Sequence, residues 1–218
     1  MEIFTYDSRG NLLTESRQAT SDISGSAGNA ASVVGTPRIK SFTYNSREQL
    51  TSVSDTVSNA KNTTLYSYDT NGNLASLSNA LGHTTTFANY DLNGRVGTIV
   101  QPNGLVTNYT YTPRGAVSSS ETILADGVGE MTRYEYDQAG QLVKTILPNG
   151  LAYYFNYDRA HRLILAQDAM GNSVEYTLDR LGNRVSEKLR DSTGNLSQEV
   201  SRVFNSLNQL IQVTGANH

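Results

Sequence analysis

One phrase recurs along the whole 218-residue chain, and its period constrains the fold more than any single residue does. The copies begin at Tyr6 (YDSRGNL), Tyr44 (YNSREQL), Tyr68 (YDTNGNL), Tyr90 (YDLNGRV), Tyr111 (YTPRGAV), Tyr136 (YDQAGQL), Tyr157 (YDRAHRL), Leu178 (LDRLGNR) and Phe204 (FNSLNQL). Successive starts lie 38, 24, 22, 21, 25, 21, 21 and 26 residues apart, the mark of a repeat array. With the aromatic counted as zero, +4 is glycine at Gly10, Gly72, Gly94, Gly115, Gly140 and Gly182, and Glu48, His161 or Asn208 in the other copies. An aliphatic stands at +6 from Leu12 to Leu210, except where Arg184 precedes Val185. A second turn signal places Gly82, Gly104, Gly150 and Gly171 at +14.

These registers read as strand, tight turn, strand. Two-residue spacing puts Tyr66 and Tyr68 on one face of a strand, and Thr, Tyr and Phe suit a half-buried pleated surface. Asn71-Gly72 is expected to supply the positive φ of a primed hairpin turn. In Gln101-Pro102-Asn103-Gly104 and Leu147-Pro148-Asn149-Gly150, proline sets φ ahead of a glycine that accepts the left-handed region. The expected fold class is all-β: antiparallel hairpin repeats of about 22 residues in a curved sheet strip, with strands of about 6 residues. One array of nine repeats covers 1–218. Residues 19–37, poor in bulky side chains, are expected to form an extended, flexible hairpin loop, with smaller insertions at 57–63 and 126–130. Leu50/Val53, Leu74/Leu77, Val96/Ile99 and Leu210/Val213 are three apart, which in a straight strand puts them on opposite faces. A bulge and a sheet covered on both faces each account for that spacing.

Composition narrows the function. A net charge of −3 without a basic run argues against nucleic acid or an anionic membrane as the main partner. No apolar run approaches the ~20 residues of a membrane-spanning helix, and the N-terminus lacks the pattern of a Sec signal. With no cysteine, disulfide and thiolate chemistry are absent. The 13 tyrosines, with no tryptophan, make the aromatic content almost wholly a property of the repeat.

The aspartates Asp7, Asp69, Asp91, Asp137, Asp158 and Asp179 stand at +1, where a carboxylate accepts hydrogen bonds from turn N–H groups two residues on. Asp69-x-Asn71-Gly72 resembles the start of a calcium loop but lacks the later bidentate glutamate. His83 and His161 fall in turns and His218 at the end of the chain; neither a zinc-protease helix motif, a nucleophile elbow nor a phosphate-binding loop occurs. No catalytic, cofactor-binding or metal-binding residue is assigned, and the chain is read as a non-enzyme. The strict phase of the tyrosines fits a structural ladder between strands; the alternative is that their faces stack on sugar rings.

Y-D-x-x-G-x-L recurring about every 21 residues, joined by P-N-G or A-x-G turns, resembles the YD repeat of the Rhs (rearrangement hotspot) family, from Phe4 to Val213. The resemblance implies a segment of a hollow β-shell. In Rhs toxins and the C components of insecticidal toxin complexes such a shell encloses a C-terminal toxin; in teneurins it belongs to a cell-adhesion receptor. Expected partners are therefore the rest of the shell and an enclosed toxin domain, with edge-to-edge self-association and a glycan or cell-surface receptor as further candidates. The expected setting is bacterial, secreted or at the cell surface, by a route other than Sec. The Asp-Pro motifs of the family's self-cleaving core are missing, so the chain is read as a shell segment. The alternative function is a carbohydrate- or receptor-binding repeat module.

Overall fold

The structure, a computed structural model, describes residues 1–22, 24, 32–57 and 60–217. Among these there is no helix, and so none long and apolar enough to cross a membrane. The chain divides into two compact units, 1–106 and 107–218. The first holds β1 (Glu2–Tyr6), β2 (Leu12–Thr20), β3 (Val33–Tyr44), β4 (Leu50–Val57), β5 (Ala60–Tyr68), β6 (Leu74–Ser78), β7 (Thr84–Ala88) and β8 (Thr98–Val100), each antiparallel to the next. β9 (Val106–Tyr111) opens the second unit. It is followed by β10 (Val117–Ile123), β11 (Gly129–Tyr136), β12 (Leu142–Ile146), β13 (Ala152–Tyr157), β14 (Leu163–Asp168), β15 (Ser173–Leu178), β16 (Arg184–Arg190), β17 (Leu196–Phe204) and β18 (Leu210–Asn217). From β10 onward each strand again pairs antiparallel with its successor.

The three-residue spacing of the aliphatics is resolved by a bulge. Tyr68 faces Leu74 and Ser67 faces Ser76, so Ala75 is an extra residue on its strand; Tyr66 then faces Leu77. Tyr66 and Tyr68 share a face, and so, across the ladder, do Leu77 and Leu74. The same slip recurs where Tyr44 faces Leu50 and Phe42 faces Val53, and again where Phe204 faces Leu210. One face of the sheet therefore carries the aromatics with their +6 and +9 partners, half-buried at Tyr44, Tyr68, Tyr136 and Tyr157. The opposite face carries small hydroxyls that bond across strands, as Thr5 to Thr14 at 2.6 Å and Ser67 to Ser76 at 2.6 Å.

A core in the ordinary sense is missing from the described residues. Ala152 is the one buried hydrophobic residue, and no large side chain is fully buried. Within each unit, backbone ladders, turns and a half-covered aromatic face supply the cohesion.

The first-turn geometry corrects one expectation. In the Tyr68 copy the Asp69 N–H donates to the Asn73 carbonyl at 2.8 Å and the Gly72 N–H to the Asp69 carbonyl at 3.1 Å. Only Gly72 lies at positive φ (91°), whereas a primed turn needs the left-handed region at both central residues or the first of them. The turn is thus the longer hairpin form, in which a left-handed residue and a bulge follow an ordinary turn. The +14 turns have the same bonds, as Leu147 N–H to Leu151 carbonyl at 2.8 Å and Gly150 N–H to Leu147 carbonyl at 2.9 Å. Gly127 and Gly194 also close turns of this kind.

Of the loop expected over 19–37, Ala19 and Thr20 are strand residues facing Val34 and Val33, and β3 runs through Pro37. Most of the rest lies outside the described residues. The insertion expected at 57–63 is largely β5, since Val57 faces Ala60, and that at 126–130 is the Gly127 turn followed by β11. The Tyr90 copy is irregular: β7 stops at Ala88, Asn89 takes φ 54°, and Gly97 closes onto it. A Cβ at Gly97 would lie 2.3 Å from the Asn89 carbonyl oxygen, so only glycine fits there.

The repeat register holds even without glycine. Glu48 (φ 64°), His161 (φ 63°) and Asn208 (φ 64°) occupy the +4 place in the left-handed region. Side chains with a Cβ pay for that conformation, asparagine least. Glu48→Gly and His161→Gly are expected to raise urea-unfolding stability by about 1 kcal/mol each, and Asn208→Gly by less. Unchanged or lowered midpoints for the first two would show that their side-chain contacts outweigh the backbone strain.

Candidate functional site

The functional element of this chain is the wall itself, and its chemistry lies in how one repeat is fastened to the next. Each +1 carboxylate organises its own turn. Asp69 Oδ1 accepts from the Asn71 N–H at 2.9 Å and the Asn73 N–H at 2.8 Å, while Oδ2 accepts from the Asn73 side-chain amide at 3.0 Å. Asp7 and Asp179 repeat this set, and Asp158 substitutes the Arg162 guanidinium at 2.7 Å. The N–H two residues on was expected as a donor; the second N–H and the +5 side chain are additions from the structure. Asn45 and Asn205 make the same two backbone contacts with an amide oxygen. Asp168 and Asp191 do so at second turns, outside the +1 positions.

The tyrosine at zero reaches backwards along the array. Tyr44 Oη donates to the Leu12 carbonyl at 3.0 Å, Tyr68 to Leu50 at 2.9 Å and Tyr90 to Leu74 at 2.7 Å. In the second unit Tyr136 donates to Val117 at 2.8 Å and Tyr157 to Leu142 at 2.9 Å. The acceptor is always the carbonyl of the +6 residue in the preceding copy. That carbonyl belongs to the bulged step of its strand, where an acceptor is left over from the ladder. Burial, and then the neighbouring Tyr134, push the Tyr136 phenol above its ordinary value.

The turns are joined as well. Arg47 Nη1 donates to the Thr70 carbonyl at 2.8 Å and Gln49 Nε2 to the Gly72 carbonyl at 2.7 Å. Arg162 Nη1 reaches the Asp179 carbonyl at 2.8 Å, and His161 Nδ1 meets Gln141 Oε1 at 2.9 Å. His161 is therefore a turn residue tied to the previous repeat, and His83 Nδ1 meets the Asn79 amide of its own turn at 3.3 Å. His218 lies outside the described residues. The last two copies start with Leu178 and Phe204, which have no hydroxyl. Charged pairs occupy this region instead: Arg202 with Glu187 at 3.4 Å, Lys188 with Glu199 at 3.5 Å, and Arg184 stacked on Tyr176 at 4.1 Å.

The arrangement fastens backbone to backbone through side chains, and comparison with known proteins identifies the fold that carries it. The Teneurin YD-shell family model matches residues 4–216, and the chain belongs to that family, whose role is that of a structural shell. A crystal structure of TcdB2-TccC3 without its hypervariable C-terminal region is similar, with a TM-score of 0.74 at 17% identity, over 95% of this chain and 12% of that one. A crystal structure of TcdB2-TccC3 gives 0.68 at 16% identity, over 97% and 13%. The Photorhabdus luminescens Tc holotoxin pore gives 0.55 at 13%, over 99% and 15%. At such identities the likeness is one of fold, and the chain spans only 12–15% of the length of these neighbours. No curated protein matches it.

Two outcomes are expected. Tyr68→Phe and Tyr136→Phe each remove one cross-repeat bond and should lower stability by about 1 kcal/mol in urea unfolding. Phe204→Tyr places a hydroxyl where the Arg184 carbonyl should accept it and should recover a similar amount. Neutral effects at all three positions would show that the hydroxyls do not fasten the repeats.

The second outcome concerns acid. Asp7, Asp69, Asp158 and Asp179 titrate below their ordinary value of 3.8, chiefly through the +5 side chain and then the turn N–H groups. Folding favours their ionised form. Their stabilisation is complete above the unfolded carboxylate value and is lost as pH falls through the lowered folded values, so acid unfolding should set in below about pH 4. Asp69→Asn combined with Asp179→Asn should flatten that acid limb of the urea midpoint against pH. An unaltered limb would place the acid sensitivity elsewhere.

Proposed function

We propose that this chain is a wall segment of an encapsulating YD-shell that holds a C-terminal toxin away from the cell producing it until delivery. The observation that carries the reading is the fastening of repeats to their predecessors within each unit, by hydroxyl-to-carbonyl bonds at Tyr44, Tyr68, Tyr90, Tyr136 and Tyr157 and by side-chain bonds between turns. Such a surface needs no second layer, so one side can face an enclosed chain and the other solvent. Membership of the YD-shell family and the fold shared with TcdB2-TccC3 support it. The partners are further YD repeats and the enclosed toxin, the role is non-catalytic, and the setting is secreted or at the cell surface of a bacterium, by a route other than Sec.

Limited proteolysis of the polypeptide as the cell makes it tests containment. Under native conditions a segment outside the YD repeats should survive trypsin, and it should be cut when Tyr68, Tyr90, Tyr136 and Tyr157 are all changed to Phe. Equal cleavage rates in the wild-type and loosened proteins, with the repeats themselves still folded, would overturn the reading.

A further inference from the structure

Four asparagine–glycine pairs lie in the turns: Asn71-Gly72, Asn93-Gly94, Asn103-Gly104 and Asn149-Gly150. All four glycines sit at positive φ, between 74° and 91°. In each turn the glycine N–H donates to the carbonyl three residues back, at 2.9–3.1 Å. The backbone is nearly the same four times, and the side chains around it are not.

At the two first turns an aspartate pins the backbone on both sides of the pair. Asp69 Oδ1 holds the Asn71 and Asn73 N–H groups at 2.9 and 2.8 Å, and Asp91 Oδ1 holds those of Asn93 and Arg95 at 2.8 and 3.1 Å. The preceding repeat covers Gly72 as well, since a Cβ there would lie 3.3 Å from Gln49 Nε2. At the two second turns the corresponding first residue is Gln101 or Leu147, and no carboxylate is present. The asparagine takes over part of that work. Asn103 Oδ1 accepts from the Leu105 N–H at 3.1 Å, and Asn149 Oδ1 from the Leu151 N–H at 3.0 Å. Both asparagines are exposed, and nothing lies within 4 Å of a Cβ at Gly104 or Gly150.

We propose that Asn103 and Asn149 are sites of self-modification, each closing to a succinimide with the following glycine and then opening to isoaspartate. The glycine nitrogen attacks the asparagine Cγ. A bond forms between them, the Cγ–Nδ2 bond breaks, and the amide departs as ammonia with the glycine proton. Negative charge gathers on Oδ1 in the tetrahedral intermediate, and the Leu105 or Leu151 N–H already donates to that oxygen. For the attack the glycine N–H must leave its turn carbonyl, which is a local opening of the turn. A turn pinned by an aspartate resists that opening. A turn braced only by the reacting asparagine does not.

Water then adds to one of the two imide carbonyls. Addition at the side-chain carbonyl gives aspartate, and addition at the main-chain carbonyl gives isoaspartate, whose backbone is one methylene longer. The turn accommodates aspartate, as Asp126-Gly127 shows: Asp126 Oδ1 accepts from the Val128 N–H at 3.0 Å and both turn bonds are made. The longer backbone cannot keep both the Leu147-to-Leu151 bond and the Gly150-to-Leu147 bond. The hairpin of β12 and β13, whose ladder there begins with Ile146 facing Ala152, then opens at its second-turn end. This slow, one-way change does not depend on the containment reading, because it needs only the turn and water.

The test holds the full chain, folded, at mildly alkaline pH and reads isoaspartate at each site by peptide mapping and isoaspartyl methyltransferase labelling. Asn103 and Asn149 should convert about tenfold faster than Asn71 and Asn93, since two pinning bonds make opening rarer by about that factor. In denaturing urea the four should convert at similar rates, because glycine follows each of them. Gln101→Asp puts a carboxylate where Asp69 stands in its own turn, and should slow Asn103 by about tenfold while leaving Asn149 unchanged. Asp69→Ala should speed Asn71 in return, with circular dichroism confirming that both variants fold. Native rates at Asn103 and Asn149 no faster than those at Asn71 and Asn93 overturn the proposal, and that comparison needs no variant. An unchanged Asn103 rate in folded Gln101→Asp, or an unchanged Asn71 rate in folded Asp69→Ala, overturns it as well.

Discussion

A hydrogen bond from a tyrosine hydroxyl to a carbonyl one repeat earlier is the interaction on which the rest of this structure depends. Sheets are ordinarily steadied by a second layer, and here the described residues bury a single hydrophobic side chain, Ala152. Adjacent strands of one hairpin are already joined by backbone bonds, but those ladders resist sliding and twisting poorly. The phenol adds a rigid strut of fixed length. It ends on the carbonyl of the leucine or valine at +6 in the preceding copy. Phenylalanine would cover the same apolar surface without fixing the register.

That arrangement was only half visible in the residues. The period, the strands, the glycine at +4 and the turn carboxylates follow from local chemistry, which acts within a few residues and leaves a direct trace in spelling. The hydroxyl link leaves none, because Tyr68 and Leu50 come together only once the offset between hairpins is known. The bulge was signalled by Leu74 and Leu77 lying three apart, yet the spacing alone could not choose it over a sheet covered on both faces. The turn type was misread because Asn71-Gly72 is also the spelling of a primed turn; the carboxylate of Asp69, binding two N–H groups, selects the longer form. Small residues near 19–37 suggested a loop, but Val33 and Val34 continue the ladder opposite Thr20 and Ala19.

The functional surface was legible to different depths. Five of the 13 tyrosines are spent on fastening, so tyrosine abundance by itself says little about ligands. Their hydroxyls at Tyr44, Tyr68 and Tyr157 all end on backbone.

Nearest-neighbour fastening also decides how such a wall gives way. A globular domain shares one interior, so damage at any point is felt throughout and the whole unfolds together. Here each repeat answers only to the copies on either side. A broken strut opens a slit of one repeat's width, and its neighbours keep their own turns and ladders. The barrier fails as a zip does, tooth by tooth from the weakest link, and the links without a hydroxyl, at Leu178 and Phe204, mark where parting should start.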